Sequence, residues 1–251
     1  PCLKRLSLLC PTGGNMTRAI IKSLGVALVA TLPMLASAQL TGNVSLTTNY
    51  KFRGQDQDVS KAKAVKPALQ GGFDYAFGET GFYVGNWNSS VDWLSGNSLE
   101  SDLYGGYKFK AGDVDLDVGL LTYIYPGNSN GNTTEVYGAA TFGPVTAKYS
   151  HTLSKDYFAY AGPGFKGRNT GYLNLAFAQE VAPSTTLKAS VGFTRFGGDI
   201  TAPNFMDYSL GGSYDFGGGV SLGAAVVGAT KKAFYGPVNK SRVIVTLTKT
   251  L

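Results

Sequence analysis

Charge is scarce in this 251-residue chain: Asp, Glu, Lys and Arg together make up 15%, against roughly 25% in an average soluble domain. Histidine occurs once, as His151, and cysteine twice, as Cys2 and Cys10. Both cysteines precede Met16, which reads as the start of the natural product, with residues 1–15 as upstream sequence outside the fold. On that reading the mature chain has no cysteine, which excludes disulfides, iron–sulfur clusters and thiolate zinc sites. No apolar run after Gln39 approaches the roughly 20 residues that a membrane-spanning helix needs. Helical periodicity is also rare. Gly217-Gly218-Gly219 lacks the Lys-Ser/Thr of a phosphate-binding loop. Nothing points to a bound cofactor.

What the chain has is glycine and rings. It holds 34 Gly, 15 Tyr and 14 Phe, with glycine about twice its ordinary usage. Low charge with abundant Tyr suits a surface facing lipid, with rings at the lipid–water boundary.

From Met16 the sequence reads as an export signal. Arg18 and Lys22 form a positive segment, Leu24 to Leu35 an apolar one, and Ala36-Ser37-Ala38 a small-residue cleavage site. Residues 16–38 are therefore expected to be cleaved, leaving 39–251 as the mature domain. Losing Lys4, Arg5, Arg18 and Lys22 lowers the 22 basic residues to 18 against 16 acidic. The precursor's charge of +6 becomes +2, so the basic excess is no sign of nucleic-acid binding, which calls for a dense basic stripe.

The mature region alternates with period two. Val44, Leu46, Thr48, Tyr50 and Phe52 share one face of a first strand, with Lys51 and Arg53 on the other. Leu99, Leu103, Tyr107 and Phe109 alternate with Glu100, Asp102, Tyr104 and Lys108. Val114, Leu116, Val118 and Leu120 alternate with Asp115, Asp117 and Gly119. Tyr208, Leu210, Tyr214 and Phe216 alternate with Asp207, Ser209, Ser213 and Asp215. The segments run about 10 residues, the length of a tilted membrane strand. Short turns alternate with long polar connections, as in outer-membrane barrels. The pattern predicts an all-β, antiparallel transmembrane barrel of about 12 strands, or 10 if the weak segments 81–91 and 145–153 fail. Both termini fall at the short-turn, periplasmic end. Around one turn, Lys108 is expected opposite Asp115, with both facing inward. At the C-terminus Val243, Val245, Leu247 and Leu251 share one face, and Lys249 interrupts the row close enough to the end to snorkel.

Several motifs resemble a known family. They are Asn49-Tyr50-Lys51-Phe52-Arg53-Gly54 with Gln57; Pro67-Ala68-Leu69-Gln70-Gly71-Gly72-Phe73-Asp74-Tyr75; and Gly81-Phe82-Tyr83-Val84-Gly85-Asn86-Trp87. Glu100-Ser101-Asp102-Leu103-Tyr104-Gly105-Gly106-Tyr107, Asp117-Val118-Gly119 and Tyr125-Pro126-Gly127 complete the set. Together they resemble the TorF-type porins of proteobacteria, most strongly over 44–127. The chain departs from that pattern at Gln55-Asp56-Gln57, where the family usually carries Ser-Gln-Thr. The resemblance implies an outer-membrane porin of a Gram-negative cell and supplies no substrate.

The candidate pore-lining residues are Lys51, Arg53 and Arg242, with Lys240 beside them, facing Glu100 and Asp102 partway round the wall. Such an arrangement would set a transverse field across a constriction. Small Gly119, Gly211, Ser213 and Gly223 would leave room in the lumen, while Tyr104, Tyr123 and Tyr137 would narrow it. The expected partners are outer-membrane lipid, the outer-membrane assembly machinery and small hydrophilic solutes, with no nucleic acid. The first reading is passive diffusion. The alternatives are a closed barrel whose loops 54–66 and 154–168 bind a partner, and a lipid hydrolase around His151. Adjacent strand residues point to opposite faces, which argues against Ser150 and His151 acting together. Asp113, Asp115 and Asp117 lack the Gly and distal Glu of a calcium loop.

Overall fold

The computed structural model describes residues 39–59 and 65–251. The expected start at Met16 and the export signal lie outside the described residues. Fourteen strands follow in chain order. They are β1 (Gln39–Thr47), β2 (Lys51–Phe52), β3 (Gln55–Asp56), β4 (Ala68–Ala76), β5 (Phe82–Ser90), β6 (Leu99–Ala111) and β7 (Val114–Ile124). Then come β8 (Thr133–Phe142), β9 (Val145–Thr152), β10 (Gly171–Ala182), β11 (Thr185–Arg195), β12 (Phe205–Gly217), β13 (Val220–Ala229) and β14 (Arg242–Thr250). All but β2 and β3 join one closed barrel, in which every strand pairs antiparallel with its neighbours and β14 closes on β1. The barrel thus has 12 strands, and both weak segments are among them, as β5 and β9. Closure leaves no unpaired edge, the condition for placing strands in hydrocarbon.

Alternation sorts the side chains as the sequence suggested. Leu40, Leu69, Leu103, Leu120, Leu210 and Val243 point outward and are more than half exposed. Near the short turns the outward rings pair, Tyr75 with Phe77, Phe82 with Tyr107 and Tyr214 with Phe216. This is the position of an interfacial aromatic girdle. The termini meet at the same end, where the Leu251 N–H donates to the Gly42 carbonyl at 2.8 Å. Lys249 turns to the short-turn end and donates to the Gly218 carbonyl at 2.5 Å.

Two expectations need correction. The β6–β7 turn closes one residue later than expected, so Lys108 pairs with Asp117 and Lys110 with Asp115. The cause is Gly112, whose φ of +59° fits the first central position of a two-residue II′ turn. Lys108 and Asp115 keep their face of the strand, and Lys110 meets Asp115 at 2.6 Å in an exposed ion pair. The second correction concerns the first strand, which ends at Thr47 rather than running through Arg53. The chain then turns inward, and Phe52 is buried inside the barrel instead of facing lipid.

Candidate functional site

The inward turn builds a hairpin plug. β2 and β3 pair through Lys51↔Asp56 and Phe52↔Gln55. Arg53 and Gly54 connect them with φ values of +47° and +75°, the two positive values of a type I′ turn. A left-handed Arg is strained by roughly 1–2 kcal/mol, so something must hold it. That something is Glu135 on β8. Arg53 Nη1 and Nη2 donate to its two carboxylate oxygens at 3.0 and 2.7 Å, a bidentate fork. Nη1 also donates to the Tyr157 hydroxyl at 2.7 Å, and the guanidinium lies 4.1 Å from the Tyr172 ring centre. Burial pushes the Tyr157 phenol up to about 12, against the opposing pull of Arg53, so it stays neutral. Since β8 lies almost opposite β1 in the strand order, the hairpin spans the lumen.

Gly54 fits where no other residue does. A Cβ there would lie 2.6 Å from both the Gly228 carbonyl and the Asp207 Cβ, against β12 and β13. The base of the hairpin is fastened to the barrel seam. Lys51 Nζ reaches Asp56 at 3.0 Å and donates to the Val238 carbonyl at 2.7 Å. Arg242 Nε donates to both Asp56 oxygens at 2.8 and 3.1 Å. Gln55 donates to Asn239 at 2.8 Å and accepts from the Tyr160 hydroxyl. Burial lowers the Lys51 ammonium from its ordinary value, and Asp56 opposes that shift. Gln55 and Asp56, with Lys51 and Arg242, thus tie the base of the plug down.

Aromatic rings seal the space around the hairpin. The Phe52 ring centre lies 5.4 Å from Tyr123 and 5.2 Å from Phe158. Phe158 belongs to the segment between β9 and β10, which also folds inward. A cavity of about 290 Å³ remains against the plug, lined by Arg53, Gln57, Trp93, Tyr160, Phe205 and Tyr235 among others.

The candidate pore residues therefore divide. Lys51 and Arg242 meet, as expected for one seam, but across Asp56. Arg53 leaves the seam and crosses to Glu135. Lys240 stays exposed. Glu100 is buried and accepts from Tyr50 and Tyr125 hydroxyls, each at 2.8 Å. Asp102 is buried, with Oδ1 unpartnered among the described residues. Asp56, Glu135, Tyr157 and Phe158 escaped the sequence reading. Their signal was present in part, because Arg53-Gly54 between Lys51-Phe52 and Gln55-Asp56 has the form of a short hairpin with opposite charges facing each other. Ser150 is buried inward, while His151 lies beside the outward Tyr149 hydroxyl at 3.3 Å, so the two point apart.

Below the plug the lumen is different. On β12, β13, β14 and β1 its wall is Ser209, Ser213, Gly223, Thr246, Thr248 and Ser45, all half-buried. A Cβ on Gly223 would meet nothing closer than 3.7 Å. Gly119 does not leave such room, since a Cβ there would strike the Tyr137 hydroxyl at 2.5 Å. On the opposite wall Tyr83 donates to Asp117 at 2.7 Å, Tyr137 donates to Tyr83, and Tyr104 donates to Asp74 at 2.5 Å.

No curated protein matches the chain by sequence. Among solved structures it is similar to the KdgM porin in complex with disordered oligogalacturonate. That match has a TM-score of 0.54 at 9% identity and covers 83% of this chain and 98% of that one. It is also similar to the NanC porin, with a TM-score of 0.54 at 10% identity, covering 84% and 98%. At these identities the likeness shows the fold alone, a porin-type barrel. Residues 34–251 match the family described as bacterial protein of unknown function (Gcw_chp), and the chain belongs to that family.

Proposed function

We propose that the protein is an outer-membrane channel of the TorF porin type, exported to the outer membrane of a Gram-negative cell. It passes small hydrophilic solutes by diffusion when its plug is displaced. The observation that carries this reading is the lumen's lower half. On β12, β13, β14 and β1 polar and small side chains there stay half-buried beside the open space at Gly223, on a closed barrel whose outer face is apolar. A barrel built only to fill itself would close that space with side chains. The similarity to barrels described as porins supports it, as does the aromatic girdle. No catalytic chemistry is assigned to Ser150 and His151, which lie on opposite faces.

The test is single-channel recording of the full chain in a planar bilayer. Discrete current steps, rarer than in a variant lacking the Arg53–Glu135 fork, are the expected result. The plug favours one competing reading, a permanently closed barrel that presents its loops to a partner. A heat-modifiable, β-rich protein that stays silent with and without the fork would establish that second reading.

A further inference from the structure

The acids and bases of the lumen are not used up equally. Glu135 is held by Arg53, Asp56 by Lys51 and Arg242, Asp117 by Tyr83, Asp74 by Tyr104 and Glu100 by two tyrosines. Two lysines are left with little. Lys148 on β9 lies 3.9 Å from the Tyr137 ring centre, and its acidic neighbours Asp117 and Glu135 are already engaged. Lys188 on β11 has no hydrogen bond, ion pair or ring among the described residues. Both side chains face the lumen, because their strand neighbours Tyr149 and Leu187 point outward and are exposed.

Both stand near the short turns. Lys148 lies three residues from the strand end at Val145 and Lys188 three from Thr185, and across the intervening β10 they pair with Asn174 and Ala178, four residues apart. Lys108, three residues from Ala111 on β6, pairs with Asp117. Lys188 is itself half-buried. Its register partners are Ala178 and Gly211, both closely packed, and the half-buried Ser190, Ser209 and Ser213 share the inward face around it. An ammonium among hydroxyls in a narrow low-dielectric tube attracts an oxyanion.

We propose that Lys148 and Lys188 are two oxyanion contacts on the wall of the lower lumen, which receive the carboxylate or phosphate of a passing solute in turn and make the channel favour anions. The proposal rests on the channel reading above. Its test is the zero-current potential in a KCl gradient, measured on a plug-released Gly54→Val protein with and without Lys148→Gln and Lys188→Gln. Anion preference that disappears in the double substitution, with current steps retained, is expected. An unchanged potential overturns the site and leaves the channel standing. Silence in every variant removes the channel instead, and the site is then decided by equilibrium dialysis of the micellar protein against inorganic phosphate and, separately, acetate. Uptake of either by the Lys148/Lys188 protein, at least tenfold weaker in the double variant, supports it; uptake of neither, or equal uptake, overturns it. Heat-modifiable migration of each variant reports that the barrel is intact.

Discussion

The two halves of the lumen use the same strands for opposite ends. Toward the long loops, Tyr125, Glu100, Glu135, Thr152, Thr170 and Asn239 are all at or below 1% exposure, and the space between walls is filled by hairpin, rings and paired charges. Toward the short turns, one wall carries serines, threonines and glycines that remain half-buried, and the other carries tyrosines bonded to Asp74 and Asp117. The wall alternation is identical in both halves. What differs is that loop residues enter the upper half, so the barrel's permeability is decided by the connections and its shape by the strands.

The comparison breaks most completely at Arg53. Replacing it with Ala leaves Glu135 buried and unpaired, a change that costs about 3–5 kcal/mol. Expressed on the seated plug, that is roughly two to four powers of ten in the open-to-closed ratio. Single-channel open probability should rise accordingly, and the Glu135→Ala/Arg53→Ala double variant should rise less than the two single effects combined. Gly54→Val is the next largest. It keeps every charge but forces a β-branched residue to φ +75° against the Gly228 carbonyl, at about 1–2 kcal/mol for the conformation alone. Open probability should increase about tenfold or more, with heat-modifiability unchanged because the barrel ladders are untouched. Gly223→Phe, placed in the plug-released background, sharpens the comparison from below. It fills the open half, so the current per step should fall while open probability stays. The smallest effect is expected at the exposed Lys110–Asp115 pair, where Lys110→Ala should cost less than about 1 kcal/mol in denaturant unfolding and leave the current alone.

The barrel was legible because its signal is repeated. Leu103, Leu120 and Leu210 each mark an outward face within an alternating segment, and a mistake at one turn, as at Gly112, shifts a register without changing a face. The plug was less legible because it depends on residues far apart in sequence. Arg53 and Glu135 are 82 positions apart, and each alone reads as an inward charge at a pore mouth. Phe52 continued the first strand's apolar row, and only the inward bend after Thr47 turned it from a lipid contact into part of the seal. The Lys51–Arg242 meeting could be foreseen from the first and last strands being neighbours. That Asp56 joins them could not, because a loop residue has no fixed face.

The seam also sets an order of events in the life of the molecule. β1 pairs with β14 over five residues, from Asn43↔Thr250 to Thr47↔Thr246, against nine between β1 and β4. The hairpin made soon after β1 is fastened to Val238, Asn239 and Arg242, more than 180 residues further along the chain. The base of the stopper therefore has no anchor until β14 has docked, and once anchored it bridges the shortest join in the wall. Completing the ring and corking it become one act, so a newly inserted barrel need not pass through a period as an unguarded hole in the membrane.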